Sequence, residues 1–145
     1  MTNCIFCRIV SRQDPATRVY EDEHVLAFLD IRPVMRGHTL VIPKLHADDL
    51  TDLSPDSASR VFQVGHSLAR AVRVADLRAD GANLVINDGR AAFQTVGHTH
   101  LHVVPRHKGD VLRFVRGFVL RRNSDPEATA AVIREGLARL DNSES

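Results

Sequence analysis

The chain has 145 residues, and its 19 basic and 18 acidic side chains leave a formal net charge of +1. This length fits one domain that buries most of its surface without disulfide or metal staples. The balanced charge gives no global field toward nucleic acid or a membrane, so we expect neither as a partner. The chain has no run of about eighteen apolar residues, and its N-terminal segment is too short and polar for a signal peptide, which predicts a cytoplasmic protein.

The only two cysteines, Cys4 and Cys7, form a C-x-x-C pair. In a reducing compartment this spacing indicates metal binding or thiol redox chemistry rather than a structural disulfide. A redox pair usually lies between a strand and a helix, and the residues before Cys4 leave no room for that strand. Tetrahedral zinc would need two more donors, which would have to be histidines elsewhere in the chain.

Residues 19–30 predict a β-hairpin, in which Glu21-Asp22-Glu23 forms the turn and His24 to Asp30 the second strand. Asp30 closes an apolar run just before Arg32-Pro33, where extended pairing must end. Its carboxylate could cap a turn or accept the two hydroxyls of a ribose. The residues alone leave both interpretations open.

A third strand and the main helix follow. His38 to Pro43 is mostly apolar and β-branched, and its proline end places His46 just past the strand. Ser54-Pro55 predicts a helix start, with Ser as N-cap and Pro at the first helical position. His66 lies in this helix, and we interpret it as a surface histidine or one with its hydrogen bonds satisfied, rather than as a ligand. The apolar stripe of the helix recurs over Ala58, Val61, Phe62, Gly65, Leu68, Ala69 and Val72.

Two alternating segments predict neighbouring strands. Ala82 to Asn87 leads through a loop of turn-forming residues into His98 to Val104, where three histidines alternate with apolar or β-branched residues. The histidines would project from one face about 7 Å apart, so they stand in a row rather than meeting at one point. We expect the two strands to be antiparallel, with Asn87 near the start of the row.

The sequence changes character beyond Arg106. His107 to Asp110 predicts a turn, and Val111 to Arg122 mixes apolar residues with arginines without a clean period. Ser124 to Glu127 predicts the start of a C-terminal helix. The stripe of that helix consists of Ala130, Ile133, Leu137 and Leu140. We expect one domain over residues 1–107 and an extension over residues 108–145, whose helix packs on the same domain or on a dimer partner.

The histidine row admits more than one chemistry. One possibility is a catalytic zinc site, because His100 and His102 could chelate one ion. The thiols compete more strongly for zinc, however, and a Cys₂His₂ set would be closed and structural. In the economical arrangement one end histidine joins Cys4, Cys7 and one further histidine at the metal. Of the two remaining imidazoles, one is a competent nucleophile near neutral pH and the other can donate to a phosphate oxygen.

The segment His98 to Val104 resembles the signature of the histidine triad (HIT) family, His-x-His-x-His followed by two hydrophobic residues. Pro105-Arg106 resembles the Fhit-like and general bacterial members, whereas the length and the cysteine pair resemble bacterial Hint-like proteins. The similarity covers roughly residues 4–107 in the family's order and spacing, through Cys4 to Cys7, Leu26 to Ile31, His38 to His46, Asn87 to Gly89 and Gln94-Thr95.

The resemblance implies an α+β, HIT-like fold with a five-stranded antiparallel sheet, one long helix and a C-terminal helix. It also implies a homodimer whose sheets join, and a structural Zn²⁺. The implied activity is that of a nucleotidyl hydrolase or transferase, acting on the α-phosphate of purine nucleoside phosphoramidates or related nucleotides through a nucleotidyl-histidine intermediate. Dinucleoside polyphosphate hydrolysis and a nucleotide-binding regulatory module with little turnover are the alternatives.

Roles for individual residues are implied in the same way. His100 would be the nucleophile, His102 would bind the non-bridging phosphate oxygens, and Thr95 would offer its hydroxyl to the leaving group. His98 would orient the site and complete zinc coordination. The other three zinc ligands would be Cys4, Cys7 and His46.

Nucleotide binding would involve Asp30 at the ribose hydroxyls, with Asn87 and Gln94 at the phosphate and adjoining sugar. The apolar base pocket would consist of Phe6, Ile9, Phe28, Leu29 and Ile31. One departure is Phe93, which stands where many members have Gly before the Gln-Ser/Thr pair and follows Arg90-Ala91-Ala92 in place of a more glycine-rich loop. A ring at this position could reshape access for the leaving group.

Overall fold

The computed structural model describes residues 3–120 and 125–144. Its centre is a five-stranded sheet with the spatial order β1-β2-β3-β5-β4, in which every neighbouring pair is antiparallel. The strands are β1 (Arg18–Glu21), β2 (Val25–Leu29), β3 (Thr39–Pro43), β4 (Gly81–Ile86) and β5 (Leu101–Arg106). The helices are α1 (Ile5–Val10), α2 (Pro55–Val74), α3 (Val111–Gly117) and α4 (Pro126–Glu144). The predicted α+β class and five-stranded antiparallel sheet are confirmed.

The predicted hairpin is present as β1 and β2. Its turn is fixed by Asp22, whose Oδ1 accepts hydrogen bonds from the backbone N–H groups of His24 and Val25 at 2.7 and 2.8 Å. An aspartate that bonds backbone groups a few residues ahead is a common turn device. The antiparallel pairing of β4 with β5 also agrees with the prediction.

Helix α2 begins as predicted, because the Ser54 hydroxyl accepts from the Ser57 backbone N–H at 3.1 Å. The expected stripe is wrong at Phe62, which is 57% exposed, while Val64 and Ala71 are buried. At Gly65 the helix lies so close to β5 that a Cβ would collide with the Leu101 side chain. The buried face is therefore centred on small and branched aliphatic residues, and the large ring falls on its solvent edge.

The predicted histidine strand starts later than expected. Strand β5 begins at Leu101, and His98 to His100 form an irregular approach to it. In this approach the Thr99 backbone N–H donates to the Ala47 carbonyl at 2.8 Å rather than to a neighbouring strand. The three imidazoles are thus not held by one regular strand, and each ring has its own orientation.

The two faces of the sheet carry different cores. One face packs against α2 and α4, and its core includes Ala130 and Ile133 of α4. The other face packs against α1 through Phe6 and Ile9, in a smaller cluster with Leu26, Phe28, Leu40 and Ile42.

The predicted N-cap Ser124 of α4 lies outside the described residues. Within residues 3–120 and 125–144, no helix has both the length and the apolar character needed to cross a membrane.

Candidate functional site

Four potential metal ligands meet where α1, the end of β3 and the approach to β5 come together. The Cys7 Sγ lies 3.2 Å from His46 Nδ1 and 3.6 Å from His98 Nδ1, and Cys4 Sγ lies 3.4 Å from His98 Nδ1. The two Nδ1 atoms are 3.2 Å apart. Zinc bonds of about 2.3 Å to sulfur and 2.0 Å to nitrogen put tetrahedral ligand atoms about 3.3 to 3.8 Å apart. The spacing in this cluster therefore fits a tetrahedral Cys₂His₂ centre.

Both imidazoles of this cluster are oriented by a bond from their other nitrogen. His98 Nε2 donates to the Pro43 carbonyl at 2.8 Å, and His46 Nε2 donates to the Asp48 carboxylate at 2.6 Å. A neutral imidazole that donates from Nε2 has its lone pair on Nδ1, the atom that faces the thiols. Such outer bonds fix the tautomer of metal-ligating histidines.

The thiols are brought together by the first turn of α1. Cys4 is the N-cap of this helix, and its sulfur accepts from the Cys7 backbone N–H at 3.3 Å. Burial, followed by the adjacent Cys4 thiol, raises the pKa of the Cys7 thiol to about 11. A divalent cation between two such sulfurs offsets the cost of ionising both, so the donor set suits a metal ion.

His100 is turned the opposite way from His98. Its Nδ1 donates to the His98 carbonyl at 2.7 Å, so the lone pair of the neutral ring is on Nε2. The residue is only 4% exposed, and burial lowers its pKa below 6.5. The Phe6 ring packs edge-on against it at 5.2 Å between centroids. A neutral, oriented imidazole with an available lone pair is what nucleophilic attack requires.

His102 is oriented through His38, a residue that we did not single out in the sequence. His38 Nδ1 accepts from the Val34 backbone N–H at 3.0 Å, which places its hydrogen on Nε2. That Nε2–H donates to His102 Nδ1 at 3.0 Å. The second nitrogen of His102 must then carry a hydrogen, so its tautomer is that of a donor.

The sequence could have revealed His38 only through strand register. Leu40 of β3 pairs with His102 of β5, and this pairing brings the residue two positions before Leu40 within reach of the His102 ring. A histidine at the start of an apolar strand was visible in the sequence. Its partner was not, because register between strands distant in sequence is set by the whole sheet.

Asp30 lies beside this histidine pair. Its Oδ1 accepts from the Arg32 backbone N–H at 2.9 Å, so the carboxylate does cap a turn. Its Oδ2 is 3.7 Å from His38 Nε2. Although Asp30, His38 and His102 are close enough to suggest a second metal site, the hydrogen on His38 Nε2 blocks the nitrogen that would have to bind. The hydrogen-bonded relay therefore runs from the Val34 N–H through His38 to His102, and Asp30 lies beside it at ion-pair distance.

The predicted pocket residues do not all lie together. Phe6 and Phe28 are in edge-to-face contact at 5.4 Å between centroids, on the same face of the sheet as His100. Ile9 joins that cluster, whereas Leu29 points to the other face and belongs to the α2 core. This is the alternation expected of adjacent strand residues. Ile31 is 76% exposed beyond the end of β2.

The residues expected at the phosphate lie on the loop between β4 and β5. Asn87 is half-buried just past β4, and Thr95 is exposed. Thr95 lines an open cleft of about 690 Å³ together with Cys4, His46 and Asp48. The Gln94 side chain is used within the protein, because its Oε1 accepts from the Gly89 N–H and its Nε2 donates to the Asp48 and Val96 carbonyls.

Fold and site together define an α+β protein with a Cys₂His₂ cluster next to two oriented histidines, the buried His100 and the half-buried His102. A model of the HIT domain family matches residues 11–109. A zinc-bound histidine triad family protein from Mycobacterium smegmatis is 54% identical, with a TM-score of 0.90 over 98% of both chains. The chain therefore belongs to the HIT family, as its sequence indicated.

Two further relatives carry names that bear on function. A protein from Sulfolobus tokodaii is described as a hypothetical histidine triad nucleotide-binding protein and is 34% identical, with a TM-score of 0.82 over 95% of this chain and 94% of that one. The adenylylsulfatase HINT3 of Arabidopsis thaliana is 35% identical over 95% of this chain and 71% of its own length.

Proposed function

We propose that this protein is a nucleotidyl hydrolase or transferase that acts on the α-phosphate of purine nucleoside phosphoramidates or related nucleotides through a nucleotidyl-His100 intermediate. The observation that carries the proposal is the orientation of His100. Its Nδ1–H is held by the His98 carbonyl at 2.7 Å, and its ring lies 4.9 Å from that of His102 between centroids. A nucleophile and a hydrogen-bond donor are thus adjacent, as acyl and phosphoryl transfer require.

The reaction would proceed by two displacements at phosphorus. In the first, His100 Nε2 attacks, the bond from phosphorus to the leaving amine breaks, and the amine takes up a proton from solvent by way of the Thr95 hydroxyl. In the second, water attacks phosphorus and gives up one proton to solvent, the bond to Nε2 breaks, and the nucleoside monophosphate leaves with His100 neutral again. His102 would donate to the non-bridging oxygens in both steps, which stabilises charge where it develops.

Binding of the nucleotide would use the residues around Phe6. Asp30 would accept the ribose hydroxyls, and Asn87 and Gln94 would contact the phosphate and adjoining sugar. The apolar base pocket would include Phe6, Ile9 and Phe28, with the exposed Ile31 at its edge. Leu29, which the resemblance also implied, would not line it, because its side chain packs in the α2 core on the opposite face. We also propose a homodimer, with residues 1–107 forming the HIT domain and residues 108–145 an extension.

Zinc would be held by Cys4, Cys7, His46 and His98. Four protein ligands leave no open position, so the ion would be structural rather than catalytic. The zinc-bound relative from Mycobacterium smegmatis supports this choice of metal.

The test uses an adenosine phosphoramidate that carries a fluorescent amine. Wild-type protein should release the amine, and His100→Asn should lose at least about 10³-fold in kcat while still binding adenosine monophosphate. His66→Asn, which changes an exposed histidine on α2, serves as the matched control and should keep its activity. Undiminished turnover in His100→Asn would refute the proposed intermediate.

Two specific observations support other leaving groups. Phe93 is 83% exposed next to Gln94-Thr95, where a base of a dinucleoside polyphosphate could stack on it. The name of the Arabidopsis relative points to adenylyl sulfate. Both compounds belong in the substrate panel. Tight nucleotide binding without any product from the panel, unchanged in His100→Ala, would favour a regulatory binding module.

A further inference from the structure

The segment between β3 and α2 contacts both the metal-ligand cluster and the loop of residues 88–96. On one side, the Asp48 carboxylate accepts from His46 Nε2 at 2.6 Å. On the other, the Asp48 backbone carbonyl accepts from Gln94 Nε2 at 2.6 Å. One residue therefore orients a metal ligand through its side chain and holds the loop through its main chain.

Gln94 is the residue that closes the loop. Its Oε1 accepts from the Gly89 N–H at 2.7 Å, its own N–H donates to the Gly89 carbonyl at 3.1 Å, and its Nε2 also donates to the Val96 carbonyl at 2.9 Å. Residues 90–95 are mostly exposed and contribute nothing to the described apolar clusters. Apart from Val96, which packs against the apolar cluster at α1, the loop depends on these polar bonds, and a loop held in this way opens at low cost.

A second contact ties the same two segments together. The Leu50 backbone N–H donates to the Asp88 carboxylate at 2.9 Å. The Ala47 carbonyl accepts from both the backbone N–H and the hydroxyl of Thr99, at 2.8 and 3.2 Å. The segment from His46 to Leu50 is thus fixed to the histidine approach on one side and to the loop on the other.

We propose that Asp48 is a positioning residue that couples the metal centre to the Gln94-Thr95 loop, so that metal occupancy orders the loop. A metal bound by His46 Nδ1 fixes the ring, and the ring fixes the carboxylate and the backbone of Asp48. The Asp48 carbonyl then offers Gln94 a stationary acceptor. The consequence for turnover rests on the proposed function, in which this loop presents Thr95 to the leaving group.

The first measurement is hydrogen exchange of the zinc-loaded and the chelated protein. Loss of one or two hydrogen bonds should speed exchange of residues 89–96 by about 2- to 10-fold after chelation. The β2 segment, residues 25–29, should keep its protection and so show that the fold is intact. Equal exchange of residues 89–96 with and without zinc would overturn the proposal, and this result needs no turnover.

Point variants test separately the contact between His46 and Asp48 and the contact between Asp48 and Gln94. Asp48→Ala should weaken zinc binding about 10- to 100-fold in competition with a chelating dye, and Asp48→Asn should restore part of it, because its amide oxygen can still accept from His46. Gln94→Leu should leave zinc affinity unchanged but make loop exchange fast and independent of zinc. Loop exchange that still depends on zinc in Gln94→Leu would refute the coupling. Asp52→Ala, an exposed carboxylate further along the same segment, is the control.

Kinetics distinguish positioning from a loss of folded protein. In zinc-loaded Asp48→Ala the loop must be ordered when substrate binds. KM should therefore rise several-fold, with little change in kcat. Partial unfolding would instead lower kcat and leave KM unchanged. If turnover depends on His100 but hydrogen exchange of the loop does not depend on zinc, only this inference fails. If loop exchange responds to zinc but no substrate turns over, only the proposed function fails.

Discussion

His98 and His100 lie two residues apart, and both are buried, but the structure uses them in opposite orientations. His98 donates from Nε2 to the Pro43 carbonyl and turns Nδ1 toward the two thiols. His100 donates from Nδ1 to the His98 carbonyl and keeps its lone pair on Nε2. The residue type is the same, but the donating nitrogen and its backbone acceptor differ between the two rings.

Burial acts in the same direction on the pKa of both histidines. It lowers the pKa of His98 and of His100, so both rings favour the neutral form that can bind a metal or attack phosphorus. The neighbours then decide between the two uses. Thiols and a second imidazole surround His98, whereas the donor histidine His102 lies beside His100, and the Phe6 ring contacts both. Tautomer and surroundings therefore separate the proposed metal ligand from the proposed nucleophile.

The same substitution at His98 and at His100 should have opposite consequences, and it gives the largest expected effects. We expect His98→Asn to remove the bound metal, from about one ion per chain to near zero, because a tetrahedral site has lost one of four ligands. His100→Asn should keep the metal and lose at least about 10³-fold in turnover. Metal content by emission spectroscopy and amine release measure both. Loss of metal in both variants would show that the two ends are not separate.

A core variant separates local effects from a general loss of stability. Ile133 of α4 is fully buried in the core behind the sheet, away from both histidine ends. Ile133→Ala should lower the free energy of unfolding by about 2 to 5 kcal/mol, because it leaves a cavity. Urea denaturation measures this loss, and Val119→Ala, at a position 81% exposed, is the matched control. Metal content and kcat per folded chain should not change. A parallel fall in either would mean that metal binding or turnover depends on the overall stability of the fold.

The orientation of His102 through His38 can be tested by substitution of His38. His38→Phe removes the donor that sets the tautomer of His102, and removal of one donor from a site of this kind costs about 10²-fold in kcat. His38→Gln should recover part of the loss, since its amide can both accept from Val34 N–H and donate to His102. Steady-state kinetics at saturating substrate test this. Equal activity in the Phe and Gln variants would contradict the relay.

The smallest effect is expected at Phe93, which belongs neither to the metal-ligand cluster nor to the surroundings of His100. Its φ of 68° is rare for an aromatic residue, and glycine adopts this conformation without strain. Phe93→Gly should change the free energy of unfolding by only about 1 kcal/mol, since strain relief and the added freedom of the unfolded chain oppose each other.

The same variant should raise KM a few-fold for a leaving group that carries a ring, and leave KM unchanged for one without. Phe62→Ala, which removes an exposed ring on α2, is the control for loss of aromatic surface. An equal change in KM for both leaving groups would mean that Phe93 does not contact the leaving group.

Local patterns were enough to predict the parts of the fold that depend on neighbouring residues. Asp22 was placed in the hairpin turn and Ser54 at the start of α2, because each acts on backbone groups a few positions away. The errors arose where distant segments meet. Phe62 was assigned to the buried face of α2, but the close approach of Gly65 to Leu101 decided which face is buried.

The family, the sheet and the set of residues available for chemistry can be predicted from local sequence, because the triad, the C-x-x-C pair and each strand pattern lie within one stretch of the chain. The orientations of His98 and His102 depend on contacts between distant segments. The acceptors that orient His98, the Val34–His38–His102 relay and the double role of Asp48 join residues from separate elements. Hydrogen bonds of this kind depend on register and packing, and neither is encoded in any single stretch of the chain.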